Sequence, residues 1–192
     1  MTASLPSGYV EVDRWGLDRV SGRQRVGALV LSFVAVFVTM GIGLGAASLA
    51  GGEPTLRVDL PRILVGGLLG LVLHELSHAA AFLALGGRPR FGGKVWTRLG
   101  PVLSVSAPGA YFTRGAYLFA GVGAVLVLGV VLIGVGAVAP EGGAVAAIAI
   151  IAATLNVAGA GGDAVIALAV RSYQPGARFE DTGDGFVVYE PA

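Results

Sequence analysis

Four long apolar segments dominate the pattern of hydrophobic and polar positions along the chain. They cover about residues 26–50, 62–86, 116–139 and 144–170, with polar turns at 51–61 and 140–143. An apolar run of about 20 residues is long enough to cross a lipid bilayer as a helix. The pattern therefore predicts an all-α membrane protein with four transmembrane helices, surrounded by the lipid bilayer.

The longest polar segment between these helices, residues 87–115, predicts strands rather than another helix. Pro101 and Pro108 within it forbid one continuous helix. Residues 94–97 and 102–107 are typical of short strands, so we expect a β-hairpin loop beside the membrane. Its edge strand could hold an extended peptide by strand addition. The other interpretation is an interfacial loop with an aromatic belt.

Both ends of the chain are polar. Residues 1–25 mix acidic and basic side chains and predict either a solvated arm or a short interfacial segment. In the tail, residues 178–180 and 186–189 flank a turn rich in Gly and Asp, which predicts a second short hairpin. We therefore divide the chain into an N-terminal arm, a transmembrane domain at 26–170 and a tail at 171–192.

Composition supports the membrane assignment and excludes other classes. Hydrophobic residues make up 55% of the 192 residues and charged residues 13%, whereas soluble domains carry about 25% charged residues. The net charge is +1 and no basic cluster alternates with aromatics, so nucleic acid is not an expected partner. Cysteine is absent. Any metal site must therefore use histidine and carboxylate ligands.

The positive charges predict how the helices are oriented. The N-terminal arm, the 87–115 segment and the tail together carry eleven Lys and Arg residues, whereas the other side carries two, Arg57 and Arg62. Lys and Arg are enriched in the cytoplasmic loops of membrane proteins. We therefore expect a multi-pass protein whose termini are both cytoplasmic.

One short motif inside the second apolar segment has the residues of a candidate metal site. His74-Glu75-Leu76-Ser77-His78 has the form H-E-x-x-H, and its two histidines are the only histidines in the chain. Residues four apart lie on the same face of a helix, so His74 and His78 can bind one metal ion. Glu75 lies beside them as a general base toward an activated water, as in zinc peptidases. Iron, cobalt or manganese would also suit such ligands, but the motif favours zinc (Zn2+) with Glu75 as the catalytic residue.

Depth in the membrane points to a third ligand. His78 lies eight residues before Gly86, where its helix is predicted to end, and Asp163 lies eight residues before Arg171. At the rise of an α-helix both residues lie about 12 Å from the cytoplasmic end of their helices. Asp163 is therefore the expected third metal ligand. Alternatively it is a helix-end carboxylate that reaches the interface or pairs with a cytoplasmic arginine.

The fourth apolar segment carries a second polar residue, Asn156. It lies seven residues before Asp163, close to two helical turns, and so on a similar face. Its amide could donate to a developing oxyanion in a catalytic role, or it could link two helices. Gly159, Gly161 and Gly162 between them would let the main chain unwind, which a membrane tolerates only where protein or a water-filled cavity covers it.

The motifs together are similar to those of a known family. H-E-x-x-H, the glycine-rich segment 86–92, the pair Ala107-Pro108 and the segment 156–163 resemble the putative zincin peptidase family of small multi-pass membrane proteins. The resemblance covers roughly residues 60–190. A transmembrane H-E-x-x-H with a later Asp is also similar to site-2 protease type intramembrane zinc metalloproteases.

The resemblance implies a role for each residue of the site. His74, His78 and Asp163 would be the zinc ligands, and Glu75 the general base. The chain departs from the site-2 protease pattern at two positions. Gly159 stands three residues after Asn156, where those enzymes carry proline, and Ala164 follows Asp163, where they carry glycine.

The expected function is that of an intramembrane zinc metalloprotease. It would hydrolyse peptide bonds of a membrane protein or peptide substrate that is embedded in the membrane or adjacent to it. Two other classes stay open: a metal-binding membrane protein without catalysis, and a degenerate relative that only binds partners. The sequence predicts no particular oligomeric state.

Overall fold

The structure is a computed structural model that describes residues 4–50, 59–97, 100–139 and 143–192. Most of the predicted loop at 51–61 and of the predicted turn at 140–143 lies outside these residues.

Among the described residues, four helices are long and apolar enough to cross a membrane. They span Gly22–Leu49 (α1), Leu60–Ala84 (α2), Arg114–Val138 and Ala144–Arg171. Each predicted helix end lies within four residues of the observed end. Apolar runs of this length predict helix bounds well because the helix ends where charge, proline and glycine begin.

The third and fourth of these helices are irregular. The third consists of α3 at Arg114–Leu118, a π-helical segment at Phe119–Gly123 and α4 at Ala124–Val138. The fourth breaks into α5 at Ala144–Gly159 and α6 at Gly161–Arg171. At the break the N–H of Ala160 donates to the carbonyl of Val157, three residues back instead of four. The glycines around Ala160 predict this unwinding.

The chain forms two compact units. The sheet unit consists of Met1–Ala28, Glu75–Ala124 and Gly162–Ala192, and the helical unit consists of Leu29–His74 and Val125–Gly161. Helix α2 contributes to both units, because His74 is the last residue of one segment and Glu75 the first of the next.

Close helix packing holds the helical unit together. A Cβ at Gly70 of α2 would lie 2.8 Å from the carbonyl oxygen of Ala152 on α5. A Cβ at Gly66 would lie 2.8 Å from the side chain of Ile151. Small residues at these positions let two main chains approach closely, as is common between membrane helices.

The described residues of the sheet unit form two antiparallel sheets. Its strands are β1 (Tyr9–Gly16), β2 (Arg90–Thr97), β3 (Gly100–Ser106), β4 (Phe112–Thr113), β5 (Arg178–Asp181) and β6 (Gly185–Pro191). β2 and β3 form a two-stranded sheet, and the others form a sheet of order β1-β6-β5-β4. The predicted strands at 94–97 and 102–107 fall within or close to β2 and β3.

An aromatic core fills the sheet unit. Phe179 and Phe186 are fully buried, and their ring centroids lie 5.6 Å apart. Phe112 before α3 and Phe82 near the end of α2 belong to the same buried cluster. Burial of these large rings fastens the four-stranded sheet to the helix ends of its own unit.

Two predictions need correction here. The fold is mostly helical but not all-α, because the N-terminal arm and the tail build one sheet together. The sequence predicts a solvated or interfacial arm. Instead, Trp15 in β1 pairs with Phe186 in β6 and stacks on its ring at 5.4 Å. A bulge between Glu11 and Asp13 interrupts the alternation of β1, which hides the strand in the sequence.

Candidate metal centre

Helix α2 places the two histidines of the H-E-x-x-H motif on one face. His74 and His78 are separated by about one helical turn, and each is only 8% exposed. A buried imidazole needs a hydrogen-bond partner, since an unpaired polar group in an apolar interior is costly. The partners of each ring therefore determine which nitrogen carries the proton.

His74 is held by Asn156. Its Nδ1 lies 3.1 Å from the main-chain oxygen of Asn156 and 3.2 Å from Oδ1 of the same residue. Both atoms are carbonyl oxygens, which only accept, so Nδ1 is the donor and Nε2 of the neutral ring carries no proton. A Cβ at Gly159 would lie 3.5 Å from Cε1 of His74, so the ring packs directly on the main chain where α5 ends.

His78 is held by the main chain of the π-helical segment. Its Nδ1 lies 2.8 Å from the carbonyl oxygen of Ala120. This oxygen also only accepts, so Nδ1 is again the donor. π-helical turns are rare and occur frequently at functional sites. Nε2 of His78 faces Asp163, at 3.6 Å from Oδ2.

The break between α5 and α6 determines the setting of Asp163. Asp163 lies in the first turn of α6, and its side chain is 18% exposed. The N-terminal end of a helix carries partial positive charge, which favours a carboxylate there in its ionised form. A continuous helix through Ala160 would leave this carboxylate without the dipole of a helix start.

The three predicted ligands form a group that could hold a metal ion. One potential ligand atom from each of His74, His78 and Asp163 can be chosen so that all three lie within 4.8 Å of one another. Ligand atoms about 2.0–2.2 Å from a tetrahedral zinc ion lie about 3.4 Å apart, close to the 3.6 Å between His78 and Asp163. Two neutral imidazoles and one carboxylate are a donor set that suits zinc. The residues therefore fit the ion.

Glu75 stands at the edge of this group. Its side chain is partly buried and close enough to His78 and Asp163 to interact with them electrostatically. It follows His74 directly on α2, so it points away from the ligand face by about 100° of helix rotation. Its role as general base stays a prediction.

Asn156 uses both ends of its amide within the protein. It is fully buried, Oδ1 accepts from His74, and Nδ2 donates to the carbonyl oxygen of Val125 on α4 at 2.9 Å. Of the two interpretations of this residue, its contacts favour the link between helices, and they add a hydrogen bond that orients His74. Its catalytic role as an oxyanion donor stays a prediction.

Sequence reasoning missed the carbonyl of Ala120. A main-chain acceptor leaves no signal in the sequence of side chains. The small residues around it, Gly115, Gly121 and Gly123, were visible but are common in membrane helices.

Comparison with known proteins gives one finding. The family model described as "Putative zincin peptidase" matches residues 67–178, which is more than half of the chain and includes His74, Glu75, His78 and Asp163. Comparison with curated proteins and with solved structures gave no match.

The hydrogen bond from His74 to Asn156 predicts an effect on metal binding. Asn156→Ala removes Oδ1 as an acceptor, so the ring loses part of its orientation and zinc affinity should fall about 10-fold. The fall should be no larger, because the main-chain oxygen of residue 156 still accepts. Chelator competition on detergent-purified protein measures the affinity.

Thr154→Ala is the matched control for this variant. Thr154 is also a buried polar residue of α5, but its hydroxyl donates to the carbonyl of Ile150 on the same helix. It should bind zinc as the wild type does. Equal affinities for the two variants would show that Asn156 does not support the site.

Proposed function

The chain belongs to the putative zincin peptidase family, and on that premise we propose that it is an intramembrane zinc metallopeptidase. It would cleave peptide bonds in membrane-embedded or membrane-adjacent segments of other proteins, in a manner similar to site-2 protease type enzymes. His74, His78 and Asp163 would hold the zinc ion, and Glu75 would be the catalytic base.

The observation that carries this proposal is the matched orientation of the two histidines. Each ring donates through Nδ1 to a carbonyl oxygen, so that in the neutral ring Nε2 is the nitrogen left to bind a metal ion. Asp163 lies in the same group of potential ligand atoms. A pair of core histidines with a purely structural role would not need the same tautomer, nor a carboxylate in the same group.

The zinc ion and Glu75 would have separate roles in hydrolysis. A zinc ion bound there would lower the pKa of a water to about 7 and polarise the scissile carbonyl. Glu75 would accept a proton as the water adds to that carbonyl and later donate it to the leaving amine. The peptide bond would thus be replaced by a carboxylate and an amine.

The depth of the site supports a substrate in or near the membrane. His78 lies six residues before Ala84, the end of α2, or about 9 Å along the helix. Asp163 lies eight residues before Arg171, the end of α6, or about 12 Å. A bond cleaved at this depth would lie in a membrane segment or next to one.

We also propose a multi-pass arrangement in which both termini are cytoplasmic. The support is the excess of Lys and Arg in the terminal segments and the 87–115 segment, eleven against two. In this arrangement the ends of α2 and α6 that lie closest to the site both face the cytoplasm.

Single-cysteine variants test this topology, because the chain contains no cysteine of its own. In sealed right-side-out vesicles, a membrane-impermeant maleimide should label Gly143→Cys but not Ser7→Cys. Detergent permeabilisation should make Ser7→Cys reactive. Labelling of Ser7→Cys in sealed vesicles would reverse the proposed orientation.

Glu75→Gln separates catalysis from metal binding. The variant keeps the shape of the side chain and leaves the three ligands untouched, so it should retain zinc and lose about 100- to 10,000-fold of the cleavage rate. Mass spectrometry of new protein termini, in membranes that contain the wild type or the variant, measures cleavage of any substrate present in those membranes.

The control for this experiment is Glu11→Gln, the same change at an acid of β1 that lies on the protein surface. It should give the same set of termini as the wild type. If Glu75→Gln produces wild-type cleavage products at the wild-type rate, Glu75 is not the base. If the wild type produces no termini beyond those of Glu75→Gln, the protein is not a peptidase under these conditions and the proposed function fails.

A further inference from the structure

A buried carboxyl group lies in the aromatic core of the sheet unit. Asp181, the last residue of β5, is 9% exposed and lies on the same face of the strand as Phe179. The Tyr117 hydroxyl donates to its Oδ2 at 2.6 Å, and the N–H of Gly183 donates to its Oδ1 at 2.8 Å. Burial raises the pKa of Asp181 to about 7, against the hydrogen bonds from Tyr117 and Gly183, which lower it.

Burial of an acidic group in an aromatic core costs free energy, so packing alone does not explain why Tyr117 and Asp181 occupy these positions. A phenylalanine and a leucine at these positions would fill the same space with no buried polar atoms. Asp181 also lies close enough to His78 and Asp163 to interact with both electrostatically. Asp181 is therefore within electrostatic range of two of the candidate ligands and is not itself in the ligand group.

Tyr117 connects the sheet to the ligand His78. It is in α3, three residues before Ala120, whose carbonyl oxygen accepts the Nδ1–H of His78. Residues three apart on a helix are neighbours on its surface. The hydrogen bond from Tyr117 to the carboxyl group of Asp181 in β5 therefore holds the helical turn that carries this carbonyl.

We propose that Tyr117 and Asp181 are positioning residues for the metal centre. Asp181 of strand β5 binds the Tyr117 hydroxyl, and Tyr117 thereby fixes the helical turn whose Ala120 carbonyl orients His78. This inference rests on the proposed function, because it assigns a role toward the same zinc ion. Asp181 lies three residues beyond the part of the chain that the family model matches. The tail of this chain is therefore part of the metal centre's support and not only a cytoplasmic extension.

The same sheet contains a matched pair that does not reach the metal centre. The Tyr189 hydroxyl donates to Oε2 of Glu180 at 2.8 Å, which is again a bond from a tyrosine of the sheet unit to an acid of β5. Glu180 precedes Asp181 on the strand and so points to the opposite face of the sheet. Tyr189→Phe therefore removes the same kind of hydrogen bond without touching α3.

The experiment compares Tyr117→Phe and Tyr189→Phe with the wild type in full-length, detergent-purified protein. Zinc affinity is measured by chelator competition, and thermal midpoints are measured on the metal-free forms. Ring-¹⁵N-labelled histidine gives signals from His74 and His78 alone, because the chain has two histidines. His74 is oriented by Asn156 and so serves as an internal control.

Tyr117→Phe should lower zinc affinity about 10-fold and change the ring signals of His78 while those of His74 stay as in the wild type. Tyr189→Phe should bind zinc as the wild type does. If Tyr117→Phe fails to fold, Tyr117→Phe combined with Asp181→Leu removes both partners of that hydrogen bond and leaves only the part-buried N–H of Gly183 without its acceptor. The double variant should show the same loss of affinity.

Two results would overturn the inference alone. The first is wild-type zinc affinity and wild-type His78 signals in Tyr117→Phe or in the double variant. The second is an equal change at His74 and His78, which would indicate general loosening rather than positioning. A well-folded wild type that binds no zinc would overturn the proposed function, and this inference with it.

Discussion

The candidate metal centre depends on the hydrogen bonds that the two histidines donate through Nδ1. Inside apolar helices an imidazole has few partners, and whichever nitrogen donates determines what the other can do. Carbonyl oxygens of Asn156 and Ala120 accept from His74 and His78. In the neutral rings these bonds leave both Nε2 atoms as acceptors, which is the form that binds a metal ion. The spacing of H-E-x-x-H alone would not ensure this.

Helix irregularity supplies the groups that the histidines need. The carbonyl of Ala120 belongs to a π-helical segment, and the break at Ala160 starts α6 so that Asp163 lies in its first turn. Irregular main chain is tolerated at membrane depth only where protein or a water-filled cavity covers it. In the sheet unit, Tyr117 and Asp181 tie one of these irregular turns to strand β5. The sheet thus holds one of the irregular helix turns that provide groups around the histidines.

The sequence predicted the features that follow from local pattern. Apolar runs predicted four helices, and equal depth predicted that Asp163 would meet His78, whose atoms lie 3.6 Å apart. It did not predict the four-stranded sheet, because the pairing of Trp15 with Phe186 joins the two ends of the chain. Nor did it predict the hydrogen bonds made by Ala120, a main-chain acceptor, or by Asp181, which was expected in the turn of the tail hairpin. These are long-range contacts that no window of sequence contains.

Zinc content, measured by mass spectrometry on detergent-purified protein, tests the account most directly. The wild type should hold about one zinc ion per chain, and both His78→Ala and Asp163→Ala should lose it because each removes one of three ligands. Asp184→Ala, which removes an acid of the tail outside the ligand group, should retain it. A well-folded wild type without zinc after addition of the ion, or retention by Asp163→Ala, would contradict a three-ligand centre built from α2 and α6.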